Sequence, residues 1–314
     1  MRVSIPLAAL GLALSLSSAG KTAAETPFGE DANSRVCATL RADVMAHERE
    51  LNARRINEFM FEGADKGCVS VVADMLARGA ALEARDRFGN TVLIHAAGAG
   101  HENVVAHVLG AGAAIDAANL AGSTALSRAV AGNHQGAVEM LLGKGAKLSG
   151  VNRSGVTPLA AAAYNGDGRM LVSLLEKGAD PGEPDGTGKG PILYAAGLGD
   201  AAIVAALLDA GLDVNKAYGH RLTALMWAAG HANNVPAREG LSVTHLLVER
   251  GAALDMADDR GRTALMIAAE RGHAEIAGFL LEKGADVSLR DKEGKSAADL
   301  AADERVRTAL TAGR

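Results

Sequence analysis

Thr91-Val92-Leu93-Ile94-His95-Ala96-Ala97 returns along the chain with small changes. Its copies are Thr124-Ala125-Leu126, Thr157-Pro158-Leu159-Ala160-Ala161-Ala162-Ala163, Gly190-Pro191-Ile192-Leu193-Tyr194-Ala195-Ala196, Thr223-Ala224-Leu225-Met226-Trp227-Ala228-Ala229 and Thr263-Ala264-Leu265-Met266-Ile267-Ala268-Ala269, with a weaker Ser296-Ala297-Ala298. Their first residues lie 33 apart every time but one, where the step is 40. Gly79, Gly112, Gly145, Gly178, Gly211, Gly251 and Gly284 keep the same step and the same slip. Two markers locked to one period identify a repeat array.

Each unit has a physical reading. Thr is a helix N-cap, and Pro158 and Pro191 stand at the first helical position, where a missing N–H costs nothing. Leu and paired Ala then give a short helix with a thin face. A Gly near 100, 166, 199 or 272 breaks it. A second helix follows, with apolar residues such as Val104, Val105 and Val108 on one side. It ends at the periodic Gly, where positive φ is needed. Turns such as Asp258-Asp259-Arg260-Gly261 close the unit. Helices this short persist only by stacking on their neighbours.

The unit D-x-x-G-x-T-P-L-x-x-A-A-x-x-G-H…L-L-x-x-G-A-D-V-N resembles the ankyrin repeat, over about residues 53 to 314. The resemblance implies an all-α solenoid of about seven 33-residue helix-turn-helix units, with β-hairpin-like tips and capping ends. Units begin near 53, 86, 119, 152, 185, 218 and 258, with a partial cap from 291. There are departures. The His after T-P-L is absent throughout. Gly190 stands where Thr should cap, which predicts a helix weaker by up to about 1 kcal/mol. The first unit reads as a second half only, and the last as little more than one helix. Residues Ala32 to Phe61 read as one helical cap, carrying an apolar stripe of Val36, Leu40, Val44, Leu51 and Ile56.

Composition fits this reading. The chain has 314 residues, 38 Gly and only 3% aromatics, unlike a single large core that leans on Phe, Tyr and Trp. With 48% apolar and 22% charged residues, bulk disorder is excluded. A net charge of −5 gives no footprint for nucleic acid or an anionic membrane.

Residues 1–24 read as a cleaved secretory signal: Arg2, an apolar run from Ile5 to Leu16, then small residues. Cleavage after Ala19, Gly20 or Ala24 fits equally. Cleavage after Ala24 removes Arg2 and Lys21 and takes the charge from −5 to −7. No later segment can span a membrane as a helix. Residues 25–52 follow as a linker and capping helix, and 53–314 are the array. The protein is expected in the periplasm of a bacterium, with secretion as the alternative. An even cysteine count in an exported chain points to a Cys37–Cys68 disulfide, with two separate packed thiols as the alternative.

Little chemistry is legible. The nine His are scattered. His101 and His273 hold the Gly-His position, where His is structural in the family, and His95 stands where such repeats are expected to be apolar. Gly186-Thr187-Gly188-Lys189-Gly190 fails as a phosphate loop, because Glu183 replaces the first Gly and Gly190 the Ser/Thr. The repeat frame makes it a tip. Asn152-Arg153-Ser154 matches the glycosylation triplet but is likewise a repeat turn. The seven extra residues fall within Gly230 to Gly240 and read as a polar loop. No catalytic, metal or cofactor residues are assigned, and no enzyme is expected.

The family implies a protein partner bound along a concave surface of tips and first helices. Carried over position by position, its candidate contacts are Arg85, Arg87, Phe88, Asn90, Arg153, Tyr164, Asn165, Lys189, His220, Arg260, Arg262 and Arg271. Tyr194 and Trp227 share one helix position and are read mainly as core, with the edge of the groove as the alternative. The tips are biased basic in an acidic chain, which suits an acidic protein patch. The reading is a non-catalytic, monomeric binding scaffold without nucleic acid, cofactor or membrane insertion. Bacterial relatives of this kind imply an envelope or oxidative-stress role, and a secreted effector acting on host proteins is the alternative.

Overall fold

The computed structural model describes residues 31, 33–148, 152, 155–230, 236–302 and 304–312. The proposed signal at 1–24, Arg153 and residues 231–235 of the insertion lie outside them.

Helix α1 (Ser34–Ala46) leads into a stack of helix pairs. The pairs are α2 (Ala53–Asp65) with α3 (Val69–Ala77), α4 (Val92–Gly98) with α5 (Glu102–Gly110), and α6 (Ala125–Ala131) with α7 (Gln135–Gly143). Next come α8 (Pro158–Tyr164) with α9 (Gly168–Glu176), α10 (Pro191–Gly197) with α11 (Ala201–Asp209), and α12 (Ala224–Ala229) with α13 (Ala237–Glu249). Then α14 (Ala264–Arg271) pairs with α15 (Ala274–Glu282), and α16 (Ala297–Leu300) with α17 (Glu304–Ala312).

The caps explain where each first helix begins. The hydroxyls of Thr91, Thr124, Thr157, Thr223, Thr263 and Ser296 accept the backbone N–H three residues on. Gly190 makes no such bond. The periodic Gly have φ of 88° to 96°, a region that disfavours any Cβ.

Packing is transmitted unit to unit. Second helices bury one apolar stripe, as with Val104, Val105 and Val108 on α5 or Ile203, Val204 and Leu207 on α11. First helices bury almost their whole circumference, as Leu193, Ala195 and Ala196 show on α10. One continuous core results, from Cys37 to Leu310. Histidines add polar stitches: His101 Nε2 lies 2.9 Å from the carbonyl of Asp65, and His134 Nε2 3.0 Å from that of Gly98. His273 Nδ1 lies 2.8 Å from the carbonyl of Ala229. Their role is structural, as read for His101 and His273.

Three expectations change. The first unit has both helices, since α2 stands in the place of a first helix. The proposed cap over 32–61 is therefore two elements, broken at Leu51-Asn52, where Asn52 caps α2 through the N–H of Arg55. The cap proper is α1, which buries Cys37, Leu40 and Val44. The last unit also has two helices. Finally, the insertion is not all loop: α13 starts at Ala237, one turn earlier than the frame requires, because the extra residues continue the helix.

Cys37 on α1 and Cys68, the residue before α3, form a disulfide. Beside it Asp31 accepts from the backbone N–H and hydroxyl of Ser70, at 3.0 and 2.8 Å. Covalent and polar ties thus hold the cap where the stack has a neighbour on one side only.

Candidate protein-binding face

The tips are turns rather than hairpins. Among the described residues the only β pairing is an isolated bridge between Tyr218 and Leu222. In most units a carboxylate or amide at the first turn position accepts two backbone N–H groups. Asp86 accepts from Phe88 and Asn90, Asp185 from Thr187 and Lys189, and Asp258 from Arg260 and Arg262. Adjacent turns are joined by single backbone bonds, such as Leu120 N–H to Phe88 C=O at 2.9 Å and Gly219 N–H to Gly188 C=O at 2.8 Å. A row of fingers follows, most of them fixed from within and, among the described residues, bonded to a neighbour.

The sixth finger departs. Tyr218 replaces the turn-closing carboxylate, and His220 and Arg221 take φ of 61° and 57°. Such left-handed backbone costs a side-chain-bearing residue about 1–2 kcal/mol. His220 is exposed, with Nδ1 3.4 Å from Asp259 Oδ2.

The floor beside the fingers is one ladder of first-helix positions: His95, Arg128, Ala161, Tyr194, Trp227 and Ile267. All but Ala161 lean toward the preceding unit. The Trp227 ring lies over Gly197, where a Cβ would sit 2.9 Å from its Cε3, and Arg128 lies over Gly98. Tyr194 meets Tyr164 edge to face, with ring centroids 5.7 Å apart. Lys189 Nζ stands above both rings, 5.7 Å from Tyr194 and 5.2 Å from Trp227. The Tyr194 hydroxyl donates to Asp185. Burial and then the Asp185 carboxylate push that hydroxyl's pKa up to about 12. Tyr194 and Trp227 are half-buried: they pack against the core and also border the face. The His95 position is not apolar by rule, since the same register holds Arg128 and Tyr194. His95 stacks on Phe61 and sits between Asp65 (2.8 Å) and Asp86 (3.2 Å).

The twelve sequence-derived contacts divide. Arg85 donates to the carbonyls of Gly89 and Ala118, and Asn90 bridges Asp86 and Asn119, so both are spent on the scaffold. Arg262 is spent likewise, pairing with Asp258 at 3.0 Å and Glu270 at 2.9 Å. Arg87 lies on the Phe88 ring, and Phe88 is 55% exposed. Together with Arg54, Asn57 and Phe61 they border a notch of about 640 Å³ beside α2. Tyr164, Asn165 and Lys189 come together around α8 and α10. Tyr164 is 63% exposed. Arg260 and Arg271 are exposed in the seventh unit, apart from that cluster. Arg153 lies outside the described residues. Arg128, Tyr194, Trp227 and the 40% exposed Leu198 were not among the candidates. For Arg128, Tyr194 and Trp227 the signal is the 33-residue register that carries His95, and for Leu198 it is the register of Asn165 and Arg271.

The face is electrostatically one-sided. Arg87, Arg128, Lys189, Arg260 and Arg271 form no ion pair among the described residues. The carboxylates of Asp65, Asp86, Asp185, Asp258, Asp259 and Glu270 are all engaged within the chain. Among the described residues no cluster of His, Cys, Asp and Glu could hold a metal ion.

The family description "Ankyrin repeats (3 copies)" matches residues 60–152 and 159–239, and "Ankyrin repeats (many copies)" matches 247–301. This chain belongs to the ankyrin repeat family. The crystal structure of the human ASB11 ankyrin repeat domain is similar to it, with a TM-score of 0.63 and 26% identity. That similarity covers 72% of this chain and 98% of that one. No curated protein matches the chain in sequence. The ankyrin array thus presents fingers and first helices as one exposed, cationic and partly aromatic face.

Proposed function

We propose that this ankyrin protein is an exported, monomeric, non-catalytic scaffold whose finger face binds a protein partner in the periplasm. The observation that carries the binding reading is the face itself. Its backbone is fixed by turn carboxylates and unit stacking, so little ordering entropy is lost when a partner docks. Arg87, Arg128, Lys189, Arg260 and Arg271 are cations without an ion pair among the described residues, which steers an acidic surface and fixes its register.

Export rests on the signal pattern at 1–24, and the Cys37–Cys68 bond supports it, because disulfides persist in oxidising compartments and are rare in the cytosol. Among the described residues no helix is long and apolar enough to cross a membrane. An envelope or oxidative-stress role rests on family resemblance alone.

Crosslinking in intact cells followed by fractionation tests the proposal. We expect the processed chain in the periplasmic fraction, joined to one discrete partner. Recovery mainly from the culture medium favours a secreted effector. An unprocessed chain in the cytosol, with free thiols and no adduct, overturns the proposal.

A further inference from the structure

We infer that Tyr164, Tyr194 and Trp227, with Lys189 above them and Leu198 beside them, form the recognition point of the face, and that it takes a partner segment carrying an apolar side chain next to a carboxylate. This inference rests on the scaffold reading and adds the chemistry of what is bound.

The apolar half of the argument is exposure. Tyr164 and Leu198 leave 63% and 40% of their surface in water. They stand in successive units, at the end of α8 and just past α10. The aromatic ground beside them is stiff. Tyr194 is held by Asp185 and by the Tyr164 edge, and Trp227 lies on the bare backbone of Gly197. Rigid aromatic side chains offer contact area at small entropic cost, which is why Tyr and Trp dominate interface hot spots.

The charged half is Lys189. It has no carboxylate partner among the described residues and rests on two ring faces. Ring faces favour a cation but leave its hydrogen-bond donors unused on the far side. The nearest turn carboxylate, Asp185, is already occupied by Tyr194, Thr187 and the Lys189 amide. One unit pair earlier on the same face, Arg128 also lacks an ion pair. A partner carboxylate over Lys189 would complete the arrangement, and a second one further along would meet Arg128. A basic segment would meet Lys189 itself, with Asp185 already spent.

The test pans a random dodecapeptide phage library on the purified mature chain. Enriched peptides are then synthesised and titrated, with the emission of Trp227, the single tryptophan, as readout. We expect enrichment of an apolar residue adjoining Asp or Glu. Tyr164→Ala and Lys189→Glu, both checked for native circular dichroism, should each weaken binding tenfold or more. Lys189→Arg should retain it, and a peptide with its acid changed to Lys should regain affinity for Lys189→Glu. Peptides without acidic bias, or peptides that respond to Arg87→Glu but not to Lys189→Glu, overturn this inference and leave the scaffold reading intact. Failure to enrich any peptide, with no adduct in intact cells, overturns both.

Discussion

The ring of Tyr218 fills the space that a Cβ on residue 190 would need. A side chain at Gly190 would collide with Cε1, Cζ and the hydroxyl of Tyr218, which is 7% exposed. Two departures from the repeat, one a lost cap and one a lost turn carboxylate, are therefore a single feature of packing between the fifth and sixth units.

Sequence reasoning alone makes Gly190→Thr a stabilising repair, since it restores an N-cap. Packing reverses the sign. We expect Gly190→Thr to lose about 1–3 kcal/mol from overpacking. Tyr218→Ala should convert the same substitution into a gain of up to about 1 kcal/mol relative to its own background. Urea denaturation of the four chains of this cycle measures the coupling.

The disulfide should matter locally. Cys37 and Cys68 are 31 residues apart, which by the chain-entropy argument contributes about 3–4 kcal/mol. Each unit contacts its neighbours only, so the loss should not spread along the array. Reduction, or Cys37→Ala with Cys68→Ala, should speed hydrogen exchange in α1 to α3 and leave α14 and α15 unchanged.

The two arginines of the seventh finger should behave differently. Arg262→Ala leaves Asp258, whose side chain is 4% exposed, without its guanidinium, and we expect a loss of about 1–3 kcal/mol. Arg260→Ala touches an exposed side chain and should stay within about 0.5 kcal/mol of the parent. Thermal unfolding of both variants checks the contrast, and it makes Arg260 the usable probe of binding.

His95 should make stability depend on pH. Burial disfavours its charged ring, but the hydrogen bond to Asp65 and the charges of Asp65 and Asp86 outweigh that, so its pKa is raised. Asp86 keeps its charge through the same range: against burial, the amides of Asn90 and Phe88 hold it below the ordinary carboxylate value. A raised folded pKa stabilises below the unfolded value, near 6.5, and the gain is lost as pH rises through the folded value. The advantage of the parent over His95→Gln should therefore be full at pH 6 and shrink toward pH 9 in urea titrations.

The period made the fold legible because each unit repeats the same cap, the same paired alanines and the same left-handed glycine. What the period could not show was direction. Arg85 and Arg262 look like free cations in a row of tips, and only the folded chain brings them to the carbonyls and carboxylates they serve. Trp227 and Tyr194 pack against the core as aromatics usually do, yet each also borders the face, one seated on Gly197 and the other propped by Tyr164. The ends depart from the period for a related reason. Units with water on one side drop the consensus residues while keeping the helices, as α2 and α17 do.

The central claim is that a protein partner sits on the finger face. The most direct measurement places the photo-crosslinker p-benzoyl-phenylalanine at Tyr164, on that face, or at Val172, exposed on the second helix α9 of the same unit, in living cells. The account predicts one discrete adduct from position 164 and none from 172. A discrete adduct from 172 with none from 164 would contradict it.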